Sequence, residues 1–336
     1  MTQSPMMQDG DPRFSGPALA ELTDTANRIQ AAIETVIEGK PEVIRLAITV
    51  LLAEGHLLIE DVPGVGKTML AKSLARSINC SVQRIQFTPD LMPTDVIGVS
   101  VFNQETRDFE FKPGGVFANI VVGDEINRAS PKTQSAMLEC MEERQVTVDG
   151  TTYELDAPFM VIATQNPVEM EGTYPLPEAQ RDRFMVRLAM GYPGEADEID
   201  MIDTHSGAAA IDQLDAVTDA AHVSKLVDIV RNTYVSPAVK KYCVNLANAT
   251  RRSAELRLGA SPRATLHLVR AAKAWAALQD REYVLPDDVK RLAASVFSHR
   301  LLPTAEAQIG RRDATEIVAD IVTRVPQPEA DGGGAR

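Results

Sequence analysis

The stretch from His56 to Ala75 constrains this chain more than any other. An apolar β-like run, His56-Leu-Leu-Ile-Glu60, leads into Asp61-Val-Pro-Gly-Val-Gly-Lys-Thr68 and then a helical pattern, Met69-Leu-Ala-Lys-Ser-Leu-Ala75. Strand, glycine-rich loop and helix in that order make a phosphate cradle. Gly64 and Gly66 let the backbone turn so that its N–H groups converge on phosphate oxygens, and the helix N-terminus adds its dipole. Lys67 then neutralises β- and γ-phosphate charge, and the Thr68 hydroxyl ligates Mg²⁺. The expected nucleotide contacts are Asp61, Val62, Pro63, Gly64, Val65, Gly66, Lys67, Thr68 and Met69. One departure stands out: the GxxxxGK[ST] pattern asks for glycine where this chain has Asp61.

A second element follows. The apolar run Ile120-Val-Val-Gly123 ends in Asp124-Glu125, which puts two acids at the C-terminal edge of a buried strand, where open α/β sheets bind ligands. Adjacent residues point differently, so the roles divide. Asp124 is the expected Mg²⁺ partner through water, and Glu125 is placed to orient or deprotonate an attacking water. The cofactors implied are ATP and Mg²⁺.

Strand-like runs at 56–60, 82–87, 119–123, 159–164 and 184–188 alternate with helical patterns across the first half. That alternation marks an α/β domain with a mostly parallel five-stranded sheet. After the Pro193-Gly194 turn the pattern changes to four helices with apolar residues at i, i+3, i+4 and i+7: Val223 to Val230, Val239 to Leu246, Leu268 to Trp275 and Val289 to Val296. The expected organisation is a tail over 1–16, a nucleotide domain over 17–192, a linker over 193–218, a small helical lid over 219–324 and a second tail over 325–336. For 336 residues, a prior of about 150 residues per domain agrees with two domains.

Charge and cysteines narrow the function classes. With 34 Lys+Arg against 47 Asp+Glu the formal net charge is −13, so no global positive field draws in nucleic acid. Cys80, Cys140 and Cys243 lack CxxC spacing, and the five histidines form no HExxH pattern, so neither a disulfide framework nor a zinc site is expected. The longest apolar stretch, Val43 to Ala53, is interrupted by Arg45 and falls short of the roughly 20 residues that span a bilayer. No apolar run follows Met1, and the expected location is cytoplasmic.

Glu60 to Thr68, Asp124-Glu-Ile-Asn-Arg-Ala129, Pro131-Lys-Thr-Gln134 and Met141-Glu-Glu-Arg-Gln-Val-Thr-Val148 resemble the MoxR family of AAA+ ATPases, from about residue 17 to 324. In that family Asp61 at the first loop position is unexceptional. The resemblance implies a sensor role for Asn166, at the end of the strand over 159–163, holding the attacking water or reporting the γ-phosphate. It implies that Pro177 to Phe184 supplies an arginine finger to a neighbouring subunit. Arg183 matches the Asp-Arg-Phe pattern, and Arg181, where the family more often has Leu, is a second basic candidate. Arg263, opening the third lid helix, matches the sensor-2 segment and is expected to reach the γ-phosphate from the lid. Residues 87–115 resemble the helix-2 insert. The segments Gln145-Val-Thr-Val148, Asp149-Gly150 and Thr151 to Leu155 read independently as a hairpin with a primed turn, matching the hairpin that precedes sensor 1.

The implied protein is an ATP-hydrolysing homo-oligomer, a hexameric ring with chaperone-like output on client complexes. A partner bearing a von Willebrand factor A domain is implied, and the sequence does not name the client. Two other readings stay open: a magnesium-chelatase-like or helicase-like motor sharing the insert and hairpin, and a nucleotide-gated scaffold with little turnover.

Overall fold

A computed structural model describes residues 16–62, 64–166, 174–192, 194–195 and 211–328. Pro63, both expected tails but for Gly16 and 325–328, and most of the expected linker lie outside the described residues. In chain order the nucleotide domain runs α1 (Gly16–Glu34), α2 (Pro41–Leu52), β1 (Leu57–Glu60), α3 (Lys67–Ser77), β2 (Val82–Gln86), α4 (Pro93–Ile97), β3 (Gly98–Asn103), β4 (Asp108–Pro113) and β5 (Ile120–Asp124). It continues with α5 (Pro131–Glu143), β6 (Gln145–Val148), β7 (Thr151–Glu154), β8 (Met160–Gln165), α6 (Glu178–Arg181) and β9 (Val186–Leu188).

The five runs anticipated as strands form one sheet in the order β2-β5-β8-β1-β9, and every pairing in it is parallel. Successive side chains on a strand face opposite ways, and the core divides accordingly. Leu57 and Ile59 join a cluster with α1, α2, α3 and the lid, while Leu58, Val121 and Val161 join a second cluster with α5. The sheet is therefore covered on both faces, as a parallel sheet requires. Truncating Leu58 or Ile59, both fully buried, to Ala costs about 2–5 kcal/mol.

The lid comprises α7 (Ala220–Asn232), α8 (Pro237–Arg252), β10 (Leu256–Leu258), α9 (Pro262–Ala277), α10 (Pro286–Phe297), β11 (Leu302–Pro303), α11 (Ala305–Ile309) and α12 (Ala314–Arg324). Ser236 and Ser261 cap α8 and α9, each accepting a backbone N–H three residues on, with proline in the first turn. Beyond the four anticipated helices the lid adds α11, α12 and the β10–β11 pair. Asp313 and Glu316 form a capping box that starts α12.

Two hairpins project from the nucleotide domain. β3 and β4 pair within the expected insert, and β6 and β7 pair around Asp149 (φ 50) and Gly150 (φ 80), the left-handed pair that a type I′ turn needs. Stacked rings of Phe111 and Tyr153, 4.0 Å apart, join the two. Among the described residues no helix is long and apolar enough to cross a membrane.

Candidate active site

The loop joining β1 to α3 turns through two left-handed glycines, Gly64 at φ 83 and Gly66 at φ 90. Gly66 is the N-cap of α3 and no side chain caps that helix, so its first N–H groups face outward as an anion cradle. The Asp61 carboxylate accepts from the N–H of Val62 at 2.8 Å and of Gly191 at 2.6 Å. This acid thus ties the start of the loop to the chain after β9, which accounts for its presence where glycine was expected. Lys67 Nζ donates to the carbonyls of Asp61 (2.7 Å) and Gln165 (3.4 Å). Burial pushes the Lys67 ammonium down, opposed by Asp61, Asp124 and Glu125, so three carboxylates favour its charged form.

Thr68 Oγ1 donates to Asp124 Oδ2 at 3.2 Å, which brings a hydroxyl and a carboxylate together at the foot of the loop. Hard oxygen donors of this kind suit Mg²⁺. Thr164, buried on β8, donates through Oγ1 to Asp124 Oδ1 at 2.9 Å and accepts the Glu125 N–H at 3.0 Å. One hydroxyl therefore fixes both acids. Glu125 takes a left-handed backbone (φ 56, ψ 49), a conformation that costs of order 1–3 kcal/mol outside glycine and collects at functional sites. Its Oε2 accepts from Gln86 Nε2 and from Arg128, each at 3.0 Å.

The sequence reading missed Arg84, Gln86 and Thr164. Arg84 Nε pairs with Asp124 Oδ2 at 2.7 Å and its other end donates to Gln86 at 2.8 Å. The signal was present in Val-Gln-Arg-Ile-Gln-Phe: Ile85 and Phe87 are buried while Arg84 and Gln86 share the opposite face, and the parallel register sets Gln86 beside Asp124. Asn166, one residue beyond β8, is buried at 6% exposure beside the Gln165 carbonyl that meets Lys67. The acids, Lys67, Thr68 and Asn166 thus share the C-terminal edge of the sheet.

The arginines lie at the other edge. His56 Nε2 donates to the Met141 carbonyl (2.9 Å) and the Met185 N–H to the His56 carbonyl (2.8 Å), so the end of α5 and the segment before β9 meet where β1 begins. Arg183 approaches Glu142 at 4.0 Å, and Arg263 pairs with the same carboxylate at 3.0 Å and with Asp182 at 3.5 Å. Asp182 also pairs with the buried Arg300 (2.9 Å) and accepts from Ser261 (2.8 Å), knotting the lid to the nucleotide domain. Arg263, expected to reach the γ-phosphate from the lid, thus meets Glu142 and Asp182. The lid meets the segment before β9 through Asp182, and its Ser298 and Thr315 meet Arg187 beside Glu60 at the end of β1. Arg181 faces elsewhere, lining a cavity with Arg187 and His299.

Residues 56–186 match the family model described as ATPase family associated with various cellular activities (AAA), and residues 248–321 match the AAA lid domain. The chain is 48% identical to an uncharacterized protein, YeaC, of Bacillus subtilis, covering 93% of this chain and 95% of that one. It is 36% identical to Chaperone MoxR1 of Mycobacterium tuberculosis, covering 98% and 90%. Protein MoxR of Methylorubrum extorquens is 30% identical, covering 91% and 95%. A crystal structure of a candidate ATPase from Cytophaga hutchinsonii superposes with a TM-score of 0.86 at 36% identity, covering 93% of this chain and 98% of that one.

Proposed function

This chain belongs to the MoxR family of AAA+ ATPases, and from that premise we propose that it hydrolyses Mg²⁺-ATP at an interface between subunits of a ring and uses the cycle to remodel client protein complexes. One observation carries the reading: Lys67, Thr68, Asp124, Glu125 and Asn166 converge on one sheet edge, with Thr68 hydrogen-bonded to Asp124. Backbone N–H groups from Gly64 to Met69 and the Lys67 ammonium hold the phosphates. The Thr68 hydroxyl and, through water, Asp124 would hold Mg²⁺, which would supply positive charge against the triphosphate. Glu125 accepts the proton of the attacking water, and the Asn166 amide orients that water. Gln86 and Arg128 hold Glu125 until the attacking water donates to its carboxylate.

The positions of Arg183 and Arg263 support a role toward a neighbour's phosphates. Both lie at the edge opposite their own loop and share Glu142, so a second subunit whose loop abuts that edge receives two cations at once. Charge developing on the transferred phosphoryl is then stabilised in trans. The name of the Mycobacterium tuberculosis relative, Chaperone MoxR1, supports chaperone-like output, and a six-membered ring and a partner with a von Willebrand factor A domain are part of the same proposal. Hydrolysis per chain therefore rises with protein concentration as rings assemble. Specific activity that stays flat from dilute monomer to assembled ring would remove the interface model. A Glu125→Gln trap in a pull-down holds ATP and client together and names the client.

A further inference from the structure

The Arg84 guanidinium bridges the two acids of the site. Its Nε donates to Asp124 Oδ2 at 2.7 Å, and its other end donates to the Gln86 side-chain carbonyl at 2.8 Å. Gln86 Nε2 in turn donates to Glu125 Oε2 at 3.0 Å, the oxygen that Arg128 also reaches. One hydrogen-bonded path therefore runs from Asp124 to Glu125 with a cation at its centre. Strand pairing builds it: Gln86 stands beside Asp124 in the parallel register of β2 and β5, and Arg84 lies two residues earlier on the same face of β2.

Asp124 is buried at 7% exposure, and a carboxylate so placed needs a counter-charge. Three side chains donate to it: Thr164 to Oδ1, and Thr68 together with Arg84 to Oδ2. A dication held by Thr68 affects the three differently. Thr164 is buried on β8 and stays. A hydroxyl that ligates a metal through its oxygen still donates its proton, so Thr68 keeps its bond to Asp124. Arg84 is the charged donor of the three, and its side chain is half exposed on the edge strand of the sheet. Like charge drives it off an oxygen shared with a dication, and solvent receives it.

We infer that Arg84 is a built-in counter-ion for Asp124 that competes with Mg²⁺, a positioning residue that sets how strongly nucleotide binding depends on the metal. On Asp124, the guanidinium offsets the negative charge that phosphates entering the loop would otherwise meet. Its withdrawal leaves Gln86 without the donor that orients its amide toward Glu125, so the tie on Glu125 loosens in the same event. The inference rests on the Mg²⁺-nucleotide reading of this site.

The test measures the affinity of the full-length chain for fluorescent ADP, once with Mg²⁺ and once with a chelator in its place, and takes the ratio of the two. Mg²⁺ binding to free ADP is common to every chain and cancels when ratios are compared. Arg84→Gln is expected to raise the ratio about tenfold, the size of one hydrogen bond to a charged group, because chelated binding weakens while Mg²⁺-supported binding strengthens. Arg84→Lys keeps the charge and returns the ratio most of the way to that of the unaltered chain. An arginine that contacts phosphate lowers both affinities alike and leaves the ratio unchanged, and one that only props Asp124 lowers the ratio. Dissociation constants report on folded chains, so partial misfolding changes the stoichiometry and not the ratio. An unchanged or lowered ratio in Arg84→Gln, or a ratio in Arg84→Lys as high as in Arg84→Gln, overturns the inference alone. No effect of Mg²⁺ on the unaltered chain overturns it together with the reading it rests on.

Discussion

Mixing two inactive variants tests the placement of the arginines directly. Lys67→Ala disables the loop, and Arg183→Ala removes the cation before β9. In one chain these groups sit at opposite edges of the sheet: β1 has four residues, which at about 3.3 Å each separates the edges by about 13 Å before the loop is added. That span exceeds any contact between the Arg183 guanidinium and its own chain's phosphates. Each variant alone loses activity, Arg183→Ala by about 10³-fold or more if its arginine supplies the trans charge. In an equimolar random ring, a working site needs an intact loop on one chain (half of them) and an intact Arg183 on its neighbour (half of those). Phosphate release is therefore expected to recover to about a quarter of the unmutated rate. Arg263→Ala mixed with Lys67→Ala recovers in the same way, because Arg263 shares Glu142 with Arg183. Among the described residues the ion pair lost in Arg183→Ala is a 4.0 Å contact with a partly exposed Glu142, a contact worth little, and an unchanged melting midpoint for the variant separates lost activity from misfolding. A mixture no faster than the summed activities of its two components refutes the trans assignment.

The Glu54 cluster and Asp61 give two further expectations. Burial pushes the Glu54 carboxyl up, but hydrogen bonds and charge from Arg231 and Arg144 outweigh it and hold it at about 2, against an ordinary 4.5. Its folded value is depressed, so the stabilisation is present above about pH 4.5 and fades as pH falls toward about 2. Allowing for the half-exposed Arg231, the cluster contributes about 2 kcal/mol, and Glu54→Gln lowers the melting midpoint by about 4–8 °C at neutral pH. Calorimetry on both proteins checks this, and coincident midpoints at neutral pH contradict it. Asp61→Ala deletes the acceptor for the Val62 and Gly191 N–H groups and is expected to weaken nucleotide binding about tenfold. A titration with fluorescent nucleotide measures it, and a change below about twofold speaks against the tethering role.

What the sequence made legible was local. Strand, glycine loop and helix follow one another from His56 to Ala75, so spacing alone locates Lys67 and Thr68, and the acids after β5 lie at the end of an unbroken apolar run. The five strands sit within two residues of their expected bounds because alternation between buried strand and amphipathic helix is strong there. Arg84, Gln86 and Thr164 stayed hidden because their partners come from register between strands far apart in sequence, with Gln86 beside Asp124 and Gly123 beside Ala163. The contacts of Arg263 were hidden for a related reason. A helix-start arginine carries no information on where its domain docks, and the lid is joined to the nucleotide domain by a shared apolar core and by Asp182 with Arg300 and Ser261, all contacts between residues far apart in sequence. Helix α12 had a readable signal in the Asp313–Glu316 box and the Ile317, Val318, Ile321, Val322 stripe, yet it was not separated from the rest of the lid.

The claim that Lys67, Thr68 and Asp124 face one Mg²⁺-triphosphate is tested most directly by calorimetric titration of Mg²⁺-ATP into the Glu125→Gln chain, with and without Lys67→Ala. The account predicts one saturable, Mg²⁺-dependent site per Glu125→Gln chain and its loss when Lys67 is also removed. Binding that persists unchanged without Lys67, or needs no Mg²⁺, contradicts it.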